Sequence, residues 1–205
     1  MPKLNFEIKI FLAIIMGTLI LIGGVSLLLG QNSPADTSTL VRNNSHSIGP
    51  ANTKVTIVEF SDYECPACKS IQPVVAEVLK NYPNVRFVYR EFPLPSHQDA
   101  FLAAQAAESA GLQGKFWEMH DKLFAISPNL SREQLMTAAN DLGLNIDQFT
   151  KDLDSEAVRQ IVLADQADGD KAGLSVTPTF FINGTKFDGG LTVEEFKKEI
   201  DSRLK

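Results

Sequence analysis

The stretch EFSDYECPACKS, residues 59–70, contains both cysteines of the chain, Cys65 and Cys68, with two residues between them. A disulfide between them would close almost no loop, and a cross-link stabilises a fold more when the loop that it closes is longer. A purely structural disulfide is therefore a poor explanation of the pair. Three uses of such a pair remain open at this point: a redox centre, half of a metal site, or coincidence.

A buried strand and a helix flank the two cysteines. Residues 55–60, VTIVEF, are apolar or β-branched at five of six positions, which is typical of a strand covered on both faces. Apolar residues from Ile71 to Leu79 recur at intervals of three and four, which predicts a helix with one buried face. Cys65 therefore lies where the strand gives way to the helix, and Pro66 suits the first helical turn.

The predicted position of Cys65 favours a reactive thiolate. Unpaired N–H groups and the positive end of the dipole at a helix N-terminus stabilise an anion, and the thiolate is the nucleophilic form of cysteine. Cys68 follows one turn later. If the pair is redox-active, Cys65 attacks or is attacked, and Cys68 resolves the mixed disulfide.

Glu59 is the charged residue of the predicted buried strand and precedes Cys65 by six positions. It is either solvated at an edge of the sheet or enclosed, and its apolar neighbours on both sides favour enclosure. Burial raises the pKa of a carboxyl group, and such a group can take or give a proton while Cys68 changes state. We therefore predict that Glu59 is a buried proton carrier.

The rest of the chain predicts one α/β domain with a helical insertion. Residues 85–92, VRFVYREF, have the pattern of a second strand. Strand character returns only at residues 179–182, TFFI, which an Asn-Gly pair follows as a strong hairpin signal. Residues from about 97 to 173 have helical patterns alone. The predicted fold class is a central mixed sheet flanked by helices, with an inserted all-helical subdomain, over residues 51–205.

The beginning of the chain predicts a membrane anchor and a tether. Residues 10–30 are uncharged, and as a helix they would span about 30 Å, the thickness of a bilayer core. A cleaved signal peptide, the alternative, has a shorter apolar region and a small-residue cleavage site. Residues 1–9 carry lysines that favour a cytoplasmic N-terminus, and residues 31–50 have the composition of a flexible linker. We expect a single-pass protein of the cytoplasmic membrane with its domain on the extracytoplasmic side, where disulfides persist.

The net charge and the small number of possible metal ligands disfavour two other classes of function. The formal net charge is −6, and Lys and Arg form no run, so we expect no nucleic-acid partner. A zinc site takes about four Cys or His ligands. The chain has two Cys and three His, none of them at finger-like spacing, so metal binding is disfavoured. We expect no cofactor beyond the cysteine pair itself.

These motifs together resemble the thioredoxin superfamily. The likeness rests on FSDYECPAC at a helix start, on the carboxylate six residues upstream and on SVTPTF before the hairpin. The helical insertion makes the DsbA-like branch of thiol–disulfide oxidoreductases the more similar one, over roughly residues 45–205, and the stretches EFPLPSH and GKFWEMHDKLF resemble that branch as well.

The resemblance implies a role for individual residues. Pro178 would be a cis-proline facing the disulfide, and Thr177 would offer backbone hydrogen bonds to a substrate strand. The place of Cys65 at a helix N-terminus separately predicts that it is the more exposed thiol. Catalytic roles then fall to Cys65, Cys68, Glu59 and Pro178, and substrate contacts to Thr177, Pro178, Pro66 and Ala67. The best-known oxidase of the branch has a histidine at the place of Ala67, so we expect a less oxidising disulfide here.

The implied function is that of an extracytoplasmic enzyme that introduces or exchanges disulfides in secreted or envelope proteins. Its partners would be unfolded or reduced secreted and envelope proteins and a membrane thiol oxidase that reoxidises the pair, and we expect a monomer. The alternatives are a membrane-tethered reductase or isomerase and a redox-silent peptide-binding module on the same fold. Both cysteines are present, which disfavours the redox-silent module, and a reduction potential would separate the others.

Overall fold

The computed structural model describes residues 15–16 and 37–205. The chain divides into two units, Met1–Pro34 and Ala35–Lys205, and the fold described below is that of the second unit. No helix within the described residues is long and apolar enough to cross a membrane. The predicted membrane segment, residues 10–30, lies outside the described residues except for two helical positions.

Short strands alternate with helices along the second unit. In chain order the elements are α1 (Thr37–Leu40), β1 (Ser47–Ile48), β2 (Thr56–Ser61), α2 (Pro66–Asn81), β3 (Arg86–Glu91), α3 (Ala100–Gly111), α4 (Phe116–Ile126), α5 (Arg132–Asp141), α6 (Ile146–Leu153), α7 (Glu156–Lys171), β4 (Thr179–Ile182), β5 (Thr185–Lys186) and α8 (Val193–Leu204).

The strands form one mixed sheet, with the order β1-β3-β2-β4-β5 within the described residues. β2 and β3 run parallel and are joined by a crossover through α2, as a parallel pair requires. β1 is antiparallel to β3, and β4 is antiparallel to both β2 and β5. The β4–β5 turn places Asn183 and Gly184 at φ values of +50° and +81°, which suits the Asn-Gly pair. The predicted mixed sheet flanked by helices is confirmed.

The sheet is covered on both faces, as the near-continuous apolar run of β2 predicts. On one face Ile57 packs with α2 and the helical insertion, and on the other Val58 and Phe60 form a smaller cluster. Helix α7 crosses the second face so closely that a Cβ atom at Gly169 would lie 2.5 Å from the ring of Phe92. Glycine allows this contact because it has no side chain.

The residues between β3 and β4 are helical, from α3 to α7 (Ala100–Lys171), close to the predicted limits of the insertion. Alanines fill the interior of α3, and their small side chains let neighbouring helices approach. Ser131 caps α5 by accepting a hydrogen bond from the backbone N–H of Gln134. The sequence predicts this cap from its Ser-x-x-Gln pattern.

Residues 37–48 belong to the domain, in contrast to the flexible linker that their polar composition predicts. β1 pairs with β3. Arg42 forms an ion pair with buried Asp168, and His46 lies 3.0 Å from a carboxylate oxygen of Glu108. Local composition could not show this packing, because the partner residues lie 126 and 62 positions further along the chain.

Candidate active site

Cys65 is the N-cap residue of α2, at the junction with the preceding strand that the sequence predicts. Its backbone is extended, its carbonyl accepts the N–H of Lys69 at 3.1 Å, and Pro66 fills the first helical position. The first turn of a helix leaves backbone N–H groups without partners inside the helix. A thiolate at Cys65 is therefore placed where backbone donors and the helix dipole stabilise it.

The two cysteines are free thiols that differ in exposure. Cys65 is 6% exposed and Cys68 is 0% exposed, so Cys65 is the outer of the two, as expected. Burial raises the pKa of the Cys68 thiol, and the hydroxyls of Ser61 and Thr177 act weakly in the opposite direction. Cys68 thus holds its proton strongly, and it needs a nearby base before it can act as a nucleophile.

The Thr177–Pro178 peptide bond is cis, as the resemblance implies. The Sγ of Cys65 donates a hydrogen bond to the carbonyl oxygen of Thr177 at 3.5 Å, although the two residues are 112 positions apart. Antiparallel pairing of Phe60 with Thr179, the first residue of β4, brings the two segments together. The structure therefore unites the cysteine motif and the proline motif in one site.

Glu59 is completely buried, with 0% exposure. Its Oε1 accepts a hydrogen bond of 3.5 Å from Nε2 of Gln72, whereas its Oε2 has no partner within the described residues. Burial raises the pKa of the Glu59 carboxyl to about 7, against smaller lowering effects of Ser61 and Gln72. A carboxyl group with this pKa can both accept and release a proton near neutrality.

A row of buried polar side chains next to Glu59 was missed in the sequence. Ser61, Tyr63, Tyr89 and Glu91 are each at most 2% exposed, and strand register places Tyr89 beside Glu59 and Glu91 beside Ser61. The hydroxyl of Tyr63 donates to Glu91 at 3.2 Å. The sequence does contain a sign of this row: polar residues stand at alternate positions of the two strands, and alternate residues of a strand share a face.

Asp62 fastens the turn before the cysteines to the loop that follows β3. Its Oδ2 accepts the N–H of Leu94 at 2.7 Å and lies 2.8 Å from Nδ1 of His97. Its Oδ1 accepts the N–H of Glu64, also at 2.7 Å. Leu94 and His97 of the EFPLPSH stretch thus hold the turn that precedes Cys65, which the sequence alone does not reveal.

Lys69 does not act on the thiols directly. Its ammonium group donates to the carbonyls of Ser127 and Ala125 at 2.6 and 3.3 Å. These carbonyls belong to the C-terminal end of α4, where a cation is favoured. The Ser127–Pro128 bond that follows is also cis.

Several residues next to Cys65 and to the cis-proline expose small or apolar side chains. Pro66, Ala67 and Val176 are exposed, while Thr177 and Pro178 are half-buried. The Cys65–Thr177 hydrogen bond joins the cysteine and proline motifs, and Gln72 bonds both Glu59 and the Cys68 carbonyl. Within residues 15–16 and 37–205, no group of three or more His, Cys, Asp and Glu side chains is arranged to hold a metal ion.

The chain belongs to the thioredoxin family, because the family model Thioredoxin_4, described as thioredoxin, matches residues 42–202. A curated relative, the Na⁺/H⁺ antiporter NhaA 1 of Salinispora arenicola, is 41% identical over 159 residues. The match covers 77% of this chain but only 24% of the antiporter, so the chain spans a small part of the length of that relative.

Solved structures share the thioredoxin-like fold of the domain. A thioredoxin-like oxidoreductase from Silicibacter pomeroyi is 29% identical and superposes with a TM-score of 0.75, covering 83% of this chain and 98% of that one. The thiol–disulfide exchange protein α-DsbA2 from Wolbachia pipientis has a TM-score of 0.74 at 19% identity, covering 81% and 90% of the two chains. At this identity the second similarity shows the fold alone.

Proposed function

We propose that the protein is a thiol–disulfide oxidoreductase that introduces or exchanges disulfides in other proteins through Cys65 and Cys68. One observation supports the proposal above the others: the outer thiol, at a helix N-terminus, lies 3.5 Å from the backbone of Thr177. An extended client chain that pairs with the half-buried Thr177 backbone would bring its own sulfur to Cys65. Backbone pairing gives affinity without demanding one client sequence.

In the oxidising direction the reaction starts from a Cys65–Cys68 disulfide. A client thiolate attacks Sγ of Cys65, the bond between the two protein sulfurs breaks, and the electron pair leaves with Cys68. The released Cys68 thiolate takes up the proton of Glu59, since burial disfavours its charge. A second client thiolate then attacks the client sulfur of the mixed disulfide, and Cys65 leaves as a thiolate. The client gains a disulfide, and two electrons remain on the cysteine pair.

The same steps run in reverse in a reductase, so geometry does not choose the direction. The alternative to an oxidase is accordingly a membrane-tethered reductase or isomerase. Reduction potentials separate these roles: about −120 mV for a strong oxidant of this kind and about −270 mV for a thioredoxin-type reductant. Titration of the pair in glutathione buffers measures where this protein lies between the two.

The location and partners of the enzyme are part of the proposal. The uncharged segment at residues 10–30 supports a single-pass anchor in the cytoplasmic membrane with the domain outside, where disulfides persist. The relatives named as antiporters fit an enzyme that works next to a membrane. Clients would be reduced or unfolded secreted and envelope proteins, a membrane thiol oxidase would reoxidise the pair, and the protein would act as a monomer.

Trapping of the mixed disulfide tests the proposal. The full chain carrying Cys68→Ser is incubated with a reduced, unfolded protein under mild oxidation and analysed on non-reducing gels. We expect mixed disulfides with Cys68→Ser and none with Cys65→Ser, because only the outer cysteine meets the client. If neither variant forms a mixed disulfide and the wild type transfers no disulfide, the proposed function is wrong.

A further inference from the structure

The turn before Cys65 encloses a carboxylate. Asp62 follows the last residue of β2 and is 1% exposed. Its carboxyl oxygens accept hydrogen bonds from the backbone N–H groups of Glu64 and Leu94, each at 2.7 Å. Its backbone carbonyl accepts the N–H of Cys65 at 3.1 Å. Asp62 is therefore bonded both to Cys65 and to the residue that precedes it.

A carboxylate in this place opposes the thiolate of Cys65. Both groups are anions beside the N-terminus of α2, and a charge of the same sign disfavours the charged form of its neighbour. Salt screens buried charges much less than exposed ones. The side chain of Asp62 is 0% exposed, so its charge acts on Cys65 unless a cation compensates it.

Within the described residues, His97 is the one ion-pair partner of Asp62. Its Nδ1 lies 2.8 Å from Oδ2 of Asp62. The imidazole is 23% exposed, so it can exchange protons with the solvent. Histidine changes its charge between about pH 5 and about pH 8. A protonated His97 makes the pair neutral, and an uncharged His97 leaves the Asp62 carboxylate without a compensating cation.

The other charged side chains of the turn and of α2 are bound elsewhere. Oε2 of Glu64 accepts the N–H of Asp99 at the start of α3. The ammonium group of Lys69 binds two carbonyls at the end of α4. Neither side chain is bonded to Asp62, so neither replaces His97 there.

Three further elements lie around the turn. On the inner side, the hydroxyl of Tyr63 donates to Glu91 of β3. From α7, Gln166 donates to the carbonyl of Pro93, in the same loop as His97, and its amide does not titrate. Before β4, the backbone of Thr177 accepts from Cys65 and does not titrate either.

We propose that His97 is a positioning residue that sets the reactivity of Cys65 through Asp62. The inference rests on the proposed function and adds two residues to its mechanism. Protonated His97 neutralises the Asp62 carboxylate, so the thiolate of Cys65 forms more readily. The thiolate is the form of Cys65 that attacks a disulfide and the form that leaves a mixed disulfide. The charge of the pair therefore acts on both steps.

Alkylation of the reduced full-length protein isolates the outer thiol. The Cys65 thiolate attacks the methylene carbon of iodoacetamide, the carbon–iodine bond breaks, and iodide leaves with the electron pair. Iodoacetamide is uncharged, so the rate follows the thiolate fraction of Cys65. Cys68 is 0% exposed, and peptide mass spectrometry identifies which cysteine carries the label.

His97→Asn removes the charge and keeps a hydrogen-bond donor. An asparagine amide can donate to Oδ2 of Asp62, but it cannot become a cation. At about pH 5.5, where histidines are mostly charged, we expect alkylation of Cys65 to be slower in His97→Asn by about tenfold, the lower end for one charge close to an ionisable group. At about pH 9, where histidines are uncharged, the two proteins should react at the same rate.

Two further variants test the pair. Asp62→Asn removes the carboxylate charge, so His97→Asn combined with Asp62→Asn should regain the wild-type rate at about pH 5.5. His46→Gln is the matched control. His46 also lies on a buried carboxylate, 3.0 Å from Oε2 of Glu108, with 24% of its side chain exposed, but it has no bond to the turn before Cys65. We expect the wild-type rate for this control at both pH values.

Three results would overturn the inference. Equal rates of the wild type and His97→Asn at the acidic pH would show that the hydrogen bond suffices without the charge. Equal slowing at both pH values would show a displaced thiol. A double variant as slow as His97→Asn would show that His97 does not act through Asp62. If the double variant does not fold, the two rates of His97→Asn still decide.

Failure of the proposed function has a different signature. If the wild type and the variants show the expected alkylation rates but the wild type transfers no disulfide to a reduced, unfolded protein, the charge pair stands and the proposed function is wrong.

Discussion

The pKa values of buried carboxyl groups are shifted in opposite directions on the two faces of the sheet. On the face toward α2, Glu59 and Glu91 have no ion-pair partner in the described part of the chain, and burial raises both pKa values. On the face toward α7, burial also acts to raise the pKa of Asp168, but Arg42 and Arg90 outweigh it and lower that pKa to about 2. The difference comes from the cations and not from burial.

The cations of the α7 face are themselves held in place. Arg90 is 0% exposed, and its Nη2 lies 2.8 Å from carboxylate oxygens of both Asp165 and Asp168. Its Nη1 donates to the carbonyls of Thr39 and Leu40 in α1. A buried charge that is paired and hydrogen-bonded stays charged. This face therefore fastens the segment that contains Thr39, Leu40 and Arg42 to the rest of the domain.

The largest effect is expected for removal of the central cation. Arg90→Leu removes the cation that Asp165 and Asp168 share. Asp168 keeps its ion pair with Arg42, but Asp165 loses its ion-pair partner among the described residues, and breaking a buried pair in this way costs about 3–5 kcal/mol of unfolding free energy. Urea denaturation at neutral pH measures the loss. Arg132→Leu is the control, because its ion pair with Asp154 is about half exposed and such pairs contribute about 1 kcal/mol or less. Similar losses in the two variants would contradict the contrast between the faces.

Glu59→Gln should change how stability depends on pH. The pKa of Glu59 is about 7 in the folded protein and 4.5 ordinarily. The contribution of protonated Glu59 to the free energy of unfolding is therefore complete below pH 4.5 and is lost as the pH rises through about 7. Between about pH 4 and about pH 8 the wild type should lose about 3 kcal/mol relative to Glu59→Gln.

Urea titrations at several pH values measure this difference. Glu77→Gln, an exposed position on the same helix as Cys68, should give a difference that stays flat with pH. A flat curve for Glu59→Gln as well would mean that the acid is not buried in solution. The reduced protein reacts with dithiobis(nitrobenzoate) in two steps, in which Cys65 releases one thionitrobenzoate and Cys68 then displaces the second. In the same variant the second release should lose its inflection near pH 7.

The smallest effect is expected for Tyr63→Phe. The change removes the donor to Oε1 of Glu91, and the loss of one such hydrogen bond costs about 0.5–1.5 kcal/mol. Thermal unfolding measures it. The loss should be smaller than that of Arg90→Leu, because the change removes one hydroxyl donor and no buried cation. A loss as large as that of Arg90→Leu would contradict the contrast between the faces.

The sequence determined those features of the protein that depend on neighbouring residues. The apolar run of β2, the helical spacing after the cysteines and the Asn-Gly turn are local patterns, and each predicted element is present. The position of Cys65 at a helix N-terminus follows from the same patterns. The resemblance to a known family added the cis bond before Pro178, which no local rule would have predicted.

Only the tertiary structure decided which distant groups meet. Local composition suggested a linker where Arg42 forms an ion pair with Asp168. The sequence could not show that Lys69 binds the end of α4, or that His97 lies against Asp62. The adjacent residues Arg90 and Glu91 lie on opposite faces of the sheet. Arg90 meets two carboxylates on its face, whereas burial and neighbouring carboxyl groups raise the pKa of Glu91 on the other. The pKa of a buried group depends on the charged and polar residues that folding places next to it. Those residues are distant in the sequence, so a local pattern does not reveal them.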